Sequence, residues 1–253
     1  VPVDSQITVL VPTSPIKSHP STEIISKCIK SVRKHLPTAQ IIVMADGVRP
    51  EQKDYEERYG QYLRDFIAIA PKWEPILLSS LAEFHHQAAM TRKVLADVKT
   101  PLILYAEHDT FFLDDAPIDF AGICRVIRSG ALHMVGFHCH WEPWILNGHA
   151  HMMLDTKRHY IDGVPFVRTW QWSQRPHVAS THFYRMLLKA YFTQDCRTFI
   201  EDRMHDVMAS SKKSLGKDGW NLWKLAYYAP LDSIRRTWTD DGRAGDPKFG
   251  MVF

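Results

Sequence analysis

Strand-like and helix-like hydrophobic patterns alternate through the first half of the chain. Positions 7–11 form an apolar run, Thr8 apart, closed by Pro12. Over 22–35 the apolar residues Ile24, Ile25, Cys28, Ile29 and Val32 recur at helical spacing, and Pro37 then ends the pattern. A second apolar run over 41–45 stops at Asp46-Gly47, and the polar segment 51–62 reads as helix. Shorter apolar stretches follow at 66–70 and 76–78. Positions 81–98 predict a long helix with core positions Ala88, Ala89, Val94, Leu95 and Val98, and 101–106 predict a third buried strand. Strands apolar on both faces and separated by helices imply a mostly parallel sheet covered on both sides, since a sheet with one wet face would alternate.

The second half has a different character. Positions 131–140 read as a strand, Asn147-Gly148 signals a hairpin turn, and the stretch up to Trp172 is rich in Trp and His with few helical cues. Helical spacing returns over 180–192 and from about 201 to 215, a late strand is expected over 222–228, and the tail from Thr239 reads as an irregular closing loop. There is no internal repeat and no low-complexity segment.

Composition narrows the class. With 253 residues, 45% hydrophobic and 23% charged, the chain has the make-up of a globular enzyme rather than a disordered segment. A formal charge of +3 and a pI near 8.6 are too mild to announce nucleic-acid binding, but they suit an anionic ligand such as a nucleotide diphosphate. The cysteines Cys28, Cys124, Cys139 and Cys196 lie far apart with no C-x-x-C pair, which argues against a zinc ribbon or a disulfide scaffold and for reduced thiols in the cytoplasm. No apolar run approaches the roughly 18 residues of a membrane helix.

In a parallel sheet flanked by helices, ligands bind beyond the carboxyl ends of the strands. Those ends carry Pro12-Thr13-Ser14, Asp46-Gly47 and Glu107-His108-Asp109. Two acids two residues apart at a strand end point to the same side, where their oxygens suit a hard divalent cation that would neutralise a diphosphate leaving group. The plainer account of such a triplet is an acidic turn; its place at the end of a central strand favours the cation.

The ordered set of a first strand ending in Pro-Thr, a second ending in Asp-Gly, a helix carrying Arg92 and a strand ending in an acid-x-acid triplet resembles the GT-A-fold glycosyltransferases, particularly family-two-like members. The resemblance runs over about residues 7–205 and extends to Phe199-Ile200-Glu201-Asp202, which is similar to their Glu-Asp motif at a helix start. It implies that Pro12, Thr13 and Asp46 line the nucleoside pocket, with Asp46 accepting a hydrogen bond from the base. It places Arg92 near the nucleotide or sugar, Glu107 at the ribose or sugar hydroxyls, and Asp109 on a metal ion bridging the phosphates. Asp202 would be the general base, because an acceptor hydroxyl is a poor nucleophile until a carboxylate takes its proton; Glu201 would orient the acceptor. An acid in a helix's first turn is also favoured by the helix dipole alone.

Two features depart from the family's pattern. The triplet begins with Glu and has His in the middle, and the histidine ligand that many relatives carry after the Glu-Asp motif has no counterpart except His205; Trp238 and Asp240 stand where it would be sought. The metal would then rest on Asp109, phosphates and water, with His205 as a substitute ligand.

A rival site is the cluster His138, Cys139, His140, His149 and His151, where strand alternation pairs His138 with His140 and His149 with His151, a geometry suited to the zinc of a hydrolase. Histidines lining an acceptor groove or packed under aromatics are the simpler account, since no supporting acid is identifiable. Trp141, Trp144, Trp170 and Trp172 read as packing, with a stacking platform for a sugar or an unpaired base as the alternative. Arg203, Lys212, Lys213, Lys217, Lys224, Arg235 and Arg236 read as solvated helix charges before they read as a polyanion track.

The sequence therefore predicts a GT-A-like (Rossmann-like) α/β fold, with a nucleotide-sugar-binding half at 1–115 and an acceptor-binding, catalytic-base half at 116–253 in one continuous fold. The expected reaction is metal-assisted transfer, with Mn2+ or Mg2+, of a sugar from a nucleotide diphosphate sugar, expected to be UDP-linked, to an acceptor hydroxyl. Inversion follows if Asp202 is the base. The acceptor is a carbohydrate or, in a variant, a hydroxylated base in DNA; the competing classes are the zinc hydrolase and a non-catalytic nucleotide- or sugar-binding module.

Overall fold

The computed structural model describes residues 1–137, 152–155, 157–194, 196–232 and 234–239. The first apolar run folds as β1 (Ile7–Thr13), buried at every position. Helix α1 (Glu23–His35) then buries Ile25, Cys28, Ile29 and Val32, a stripe at i, i+3, i+4 and i+7. Each such side chain contributes about 1.5–3 kcal/mol on burial. Strand β2 (Gln40–Ala45), helix α2 (Glu56–Ile69), β3 (Ile76–Ser80), helix α3 (His86–Leu95) and β4 (Leu102–Tyr105) continue the alternation. β1 pairs in parallel with β2 on one flank and β4 on the other, so Val9 stands between Ile41 and Leu104, and β2 pairs in parallel with β3.

Beyond β4 follow β5 (Thr110–Phe112), α4 (Phe120–Arg128), β6 (Met134–Gly136), β7 (His159–Ile161), β8 (Val164–Thr169), β9 (His177–Ser180), α5 (Thr181–Tyr191), α6 (Ile200–Leu215), the short α7 (Trp220–Trp223), β10 (Leu225–Tyr228) and β11 (Thr237–Thr239). Among the described residues, nine strands make one sheet in the order β3-β2-β1-β4-β9-β6-β10-β8-β7, and β11 pairs with β5 in a two-stranded ribbon. The sheet is parallel through its first four strands and mixed beyond them: β9 runs antiparallel to both β4 and β6. From β1 the chain goes to β2 and β3 on one side and returns as β4 on the other. The carboxyl ends of β1 and β4 therefore flank the switch point, where such sheets open a crevice.

Several elements differ from the sequence pattern. The helix expected over 81–98 is only α3, because Leu81 continues the ladder from β2, its N–H meeting the Ala45 carbonyl at 2.9 Å, and the next residues turn to meet the Asp46 carboxylate. The apolar stretch at 66–70 completes α2 rather than forming an element of its own, burying Phe66 on the same side as Tyr59 and Tyr62. The late strand begins three residues later than 222, after α7 and a left-handed Lys224 (φ 48°).

Trp170 and Trp172 are 1% and 0% exposed, as the packing account requires. His177 packs in a triangle of rings with Tyr105 and Tyr184, at centroid distances of 5.4 and 5.6 Å, and its burial lowers its pKa to about 4, keeping the ring neutral. Among the described residues no helix is long and apolar enough to cross a membrane. The cluster at His138, Cys139, His140, His149 and His151, together with Trp141, Trp144 and Asp240, lies outside the described residues. The basic residues do not all face solvent: Arg236 is 1% exposed and paired with Asp232 at 2.6 Å, and Lys224 donates to the Gly130 carbonyl at 2.6 Å.

Candidate active site

A cleft of about 290 Å³ opens where the topology places it, and its lining brings together Pro12, Thr13, Asp46, Glu107 and Asp109, residues separated by up to a hundred positions in the chain. β1, β2 and β4 deliver them because neighbouring parallel strands end at the same edge. Thr13 is fixed from behind: its hydroxyl shares a hydrogen bond of 3.0 Å with the Tyr62 hydroxyl, and its carbonyl accepts from Tyr59 at 3.2 Å. His108 turns its Nδ1 to the Pro12 carbonyl at 3.2 Å, tying the β4 end to the β1 end.

Asp46 has a structural task inside the cleft. Its carboxylate accepts three backbone N–H groups, from Gly47 at 2.9 Å, His85 at 2.8 Å and His86 at 2.7 Å. The loop before α3 is thereby wrapped around the end of β2, and a side chain at Gly47 would place its Cβ 2.2 Å from the Glu83 backbone carbon. His86 takes a left-handed φ of 62°, an unfavourable geometry for a residue with a Cβ, held by these contacts. A lone pair of Asp46 remains for a ligand after this service, but the carboxylate is first a clamp.

The acids of the β4 end meet those of α6. Burial raises the Glu107 carboxyl to about 8, reinforced by the nearby charges of Asp109 and Glu201 and only partly offset by Arg175 and by the Gln87 amide, which donates to it at 3.2 Å. Glu201 is held in the opposite sense. Burial disfavours its charge, but the His205 imidazole at 3.4 Å and the backbone N–H of Gln174 at 3.0 Å together keep its carboxyl below the usual range. His205 in turn is raised by that bond to Glu201. The fields of Glu107, Asp109 and Glu201 overlap here, opposed by Arg175.

Asp202 is exposed, and its charge reaches His86, a cleft-lining residue, and His205. Phe199, three residues earlier, lines the cleft itself and meets the His86 ring edge-on at 4.4 Å. His205 stays with Glu201, one helical turn away, and among the described residues no three His, Cys, Asp or Glu side chains are grouped to hold a metal ion. Arg92 does not line the cleft. Its guanidinium donates to the carbonyls of Leu188 and Phe192, the latter at 2.5 Å, so it joins α3 to the end of α5.

Sequence reasoning passed over Arg49, His86, Gln87 and Arg175. Arg49 lies 5.0 Å above the Phe84 ring and 3.2 Å from His86 Nε2, which puts a cation on the cleft wall. Gln87 links three elements, donating to Glu107 and accepting from the Ile200 N–H at 2.9 Å. Arg49 follows the Asp-Gly turn by two positions, a signal that was legible; Gln87 and Arg175 carried none, since their roles depend on which strands become neighbours.

No family profile matches the sequence, and no curated protein sequence matches it. Solved structures do. TarS 1–349 of S. aureus superposes with a TM-score of 0.52 at 12% identity, over 92% of this chain and 60% of that one. Its complex with UDP-GlcNAc gives 0.53 at 13%, over 92% and 58%, and the longer TarS gives 0.53 at 12%, over 92% and 36%. The chain thus spans less than two thirds of the length of these proteins. The likeness shows the fold, which is the GT-A-like fold of nucleotide-sugar glycosyltransferases.

Proposed function

We propose that this GT-A-like chain is a glycosyltransferase that moves a sugar from a nucleotide diphosphate sugar to an acceptor hydroxyl. The observation that carries the reading is the convergence of Pro12, Thr13, Asp46, Glu107 and Asp109 on one cleft at the switch point of the sheet. A donor with UDP as its nucleotide is favoured by the similarity to a fold captured with UDP-GlcNAc. Residues 1–115 then form the donor half and 116–253 the acceptor half of the same sheet.

The paired carboxylates of Glu107 and Asp109 fit a hard divalent cation such as Mn2+ or Mg2+, because oxygen donors are what such ions take and an added positive charge offsets both the burial and the repulsion that raise Glu107. Asp109 and Glu107 would hold it, with phosphate oxygens and water completing its shell; when bound, it supplies charge neutralisation at the departing diphosphate. Arg49 adds a fixed positive charge on the same wall. Glu201, tied to Gln174 and His205, holds its place and orients the acceptor, while Asp202, exposed at the start of α6, takes the acceptor's proton as the bond to the anomeric carbon forms. Attack from the face opposite the diphosphate gives inversion.

A panel of nucleotide sugars with Mn2+ or Mg2+, read by nucleotide release, tests the reading. Asp202→Asn is expected to keep donor binding and lower transfer by about 10²-fold or more, whereas Asp109→Ala is expected to weaken donor binding in the presence of metal. Transfer undiminished in both variants would refute the assignment.

A further inference from the structure

A second cavity, about 570 Å³, opens between α3 and α5 and shares no lining residue with the cleft. Its floor is apolar: Leu95 and Leu188 are each 1% exposed and Phe192 5%. Its walls carry three cations, Arg92, Arg185 and Lys189, and no acid among the described residues that line it. The two guanidiniums are fixed by neutral partners. Arg92 Nη2 holds the C-terminal end of α5 through Leu188 and Phe192, while Arg185 reaches across to the end of α3, with Nη2 2.6 Å from the Leu95 carbonyl and 2.7 Å from that of Val98.

Carbonyl partners fix a guanidinium's position without neutralising it. The negative ends of the two helices offset about half a charge each, which leaves roughly two of the three positive charges uncompensated. Arg92 Nη1 and Nε, Arg185 Nη1 and the Lys189 ammonium have no hydrogen-bond partner among the described residues, so donors are left over for a ligand. We propose that this cavity is a second ligand site, for a small amphiphilic anion: a phosphate or carboxylate head on the arginines and lysine, with a hydrocarbon body along Ala96 and the aliphatic stems of those three side chains, above the floor that Leu95, Leu188 and Phe192 close. Charge complementarity selects the head, because a fixed planar guanidinium meets such oxyanions with little ordering cost. The volume lies within the range of about 300–1,000 Å³ usual for small-molecule sites.

Calorimetry on the full chain with decyl phosphate below its micellar concentration, decanol and inorganic phosphate provides the test. Decyl phosphate is expected to bind at least about tenfold tighter than either half-probe. Lys189→Glu, at an exposed position, should weaken it by about tenfold with the ligand-free melting temperature unchanged. Ala96→Phe, at the exposed rim of the cavity, should abolish binding. Equal affinity for decanol, wild-type affinity in both variants, or displacement of decyl phosphate by UDP would overturn the proposal; displacement would locate the probe in the cleft instead.

Discussion

Asp46 and Glu107 line the same cleft and are treated in opposite ways by the fold. Asp46 is surrounded by three backbone donors, so its removal leaves buried N–H groups without acceptors, each costing about 1–3 kcal/mol. Asp46→Ala is therefore expected to lower stability by about 2–4 kcal/mol in urea denaturation, with donor binding lost because the loop before α3 is released. Glu107 sits among like charges, and its raised carboxyl fixes the sign of a pH effect. Below the unfolded value both states hold the proton. As pH rises from there to about 8 the folded state retains it longer, so stability falls across that window. Metal-free Glu107→Gln is expected to be more stable than the parent at pH 8, by at most a few kcal/mol, with the two curves merging below about pH 4; thermal melts across pH check it. The turn at Asp46-Gly47 and the acidic triplet were both visible in the sequence, but the clamp and the crowding were not, since they also need His85 and His86 at Asp46 and Glu201 at Glu107, all far along the chain.

Helix α3 illustrates how tertiary contacts set an element's limits. Its apolar spacing extends back to Leu81, yet the helix starts at His86, where the Asp46 carboxylate captures the backbone and φ turns positive. Its first turn presents His86, Gln87 and Met90 to the cleft, and its last turn sends Arg92 to α5. Arg92→Leu is accordingly expected to cost about 1–3 kcal/mol of stability through the unpaired carbonyls at the end of α5 while leaving nucleotide binding intact; a melt and a nucleotide titration on the same variant distinguish this from a role at the donor. Gln87 joins α3, β4 and the first N–H of α6. Gln87→Leu is expected to reduce transfer more than donor binding, because it releases the start of the helix that carries Glu201 and Asp202; comparing kcat with KM reads the split.

At the scale of the whole molecule, one sheet joins the strands of the first 115 residues to those that follow. β4 has β1 on one side and β9 on the other, with Leu102 opposite Ser180 and Tyr105 opposite His177. A fragment ending at residue 115 would expose that buried edge, so it is expected to show no cooperative melt by circular dichroism, whereas the full chain melts in one transition. Local patterning by itself determined the strands β1, β2 and β4, the helix α1, and the polar residues at the strand ends, because hydrophobic period and turn chemistry act over a few neighbours. It also placed Glu201 and Asp202 in the first turn of a helix. Only the tertiary structure decided which strand ends share a cleft, that Arg92 serves α5, that His205 turns to Glu201, and that Arg49 and Gln87 belong to the wall. Those outcomes follow from strand order and long-range hydrogen bonds, in which the energy of each contact depends on residues that no local window of sequence contains.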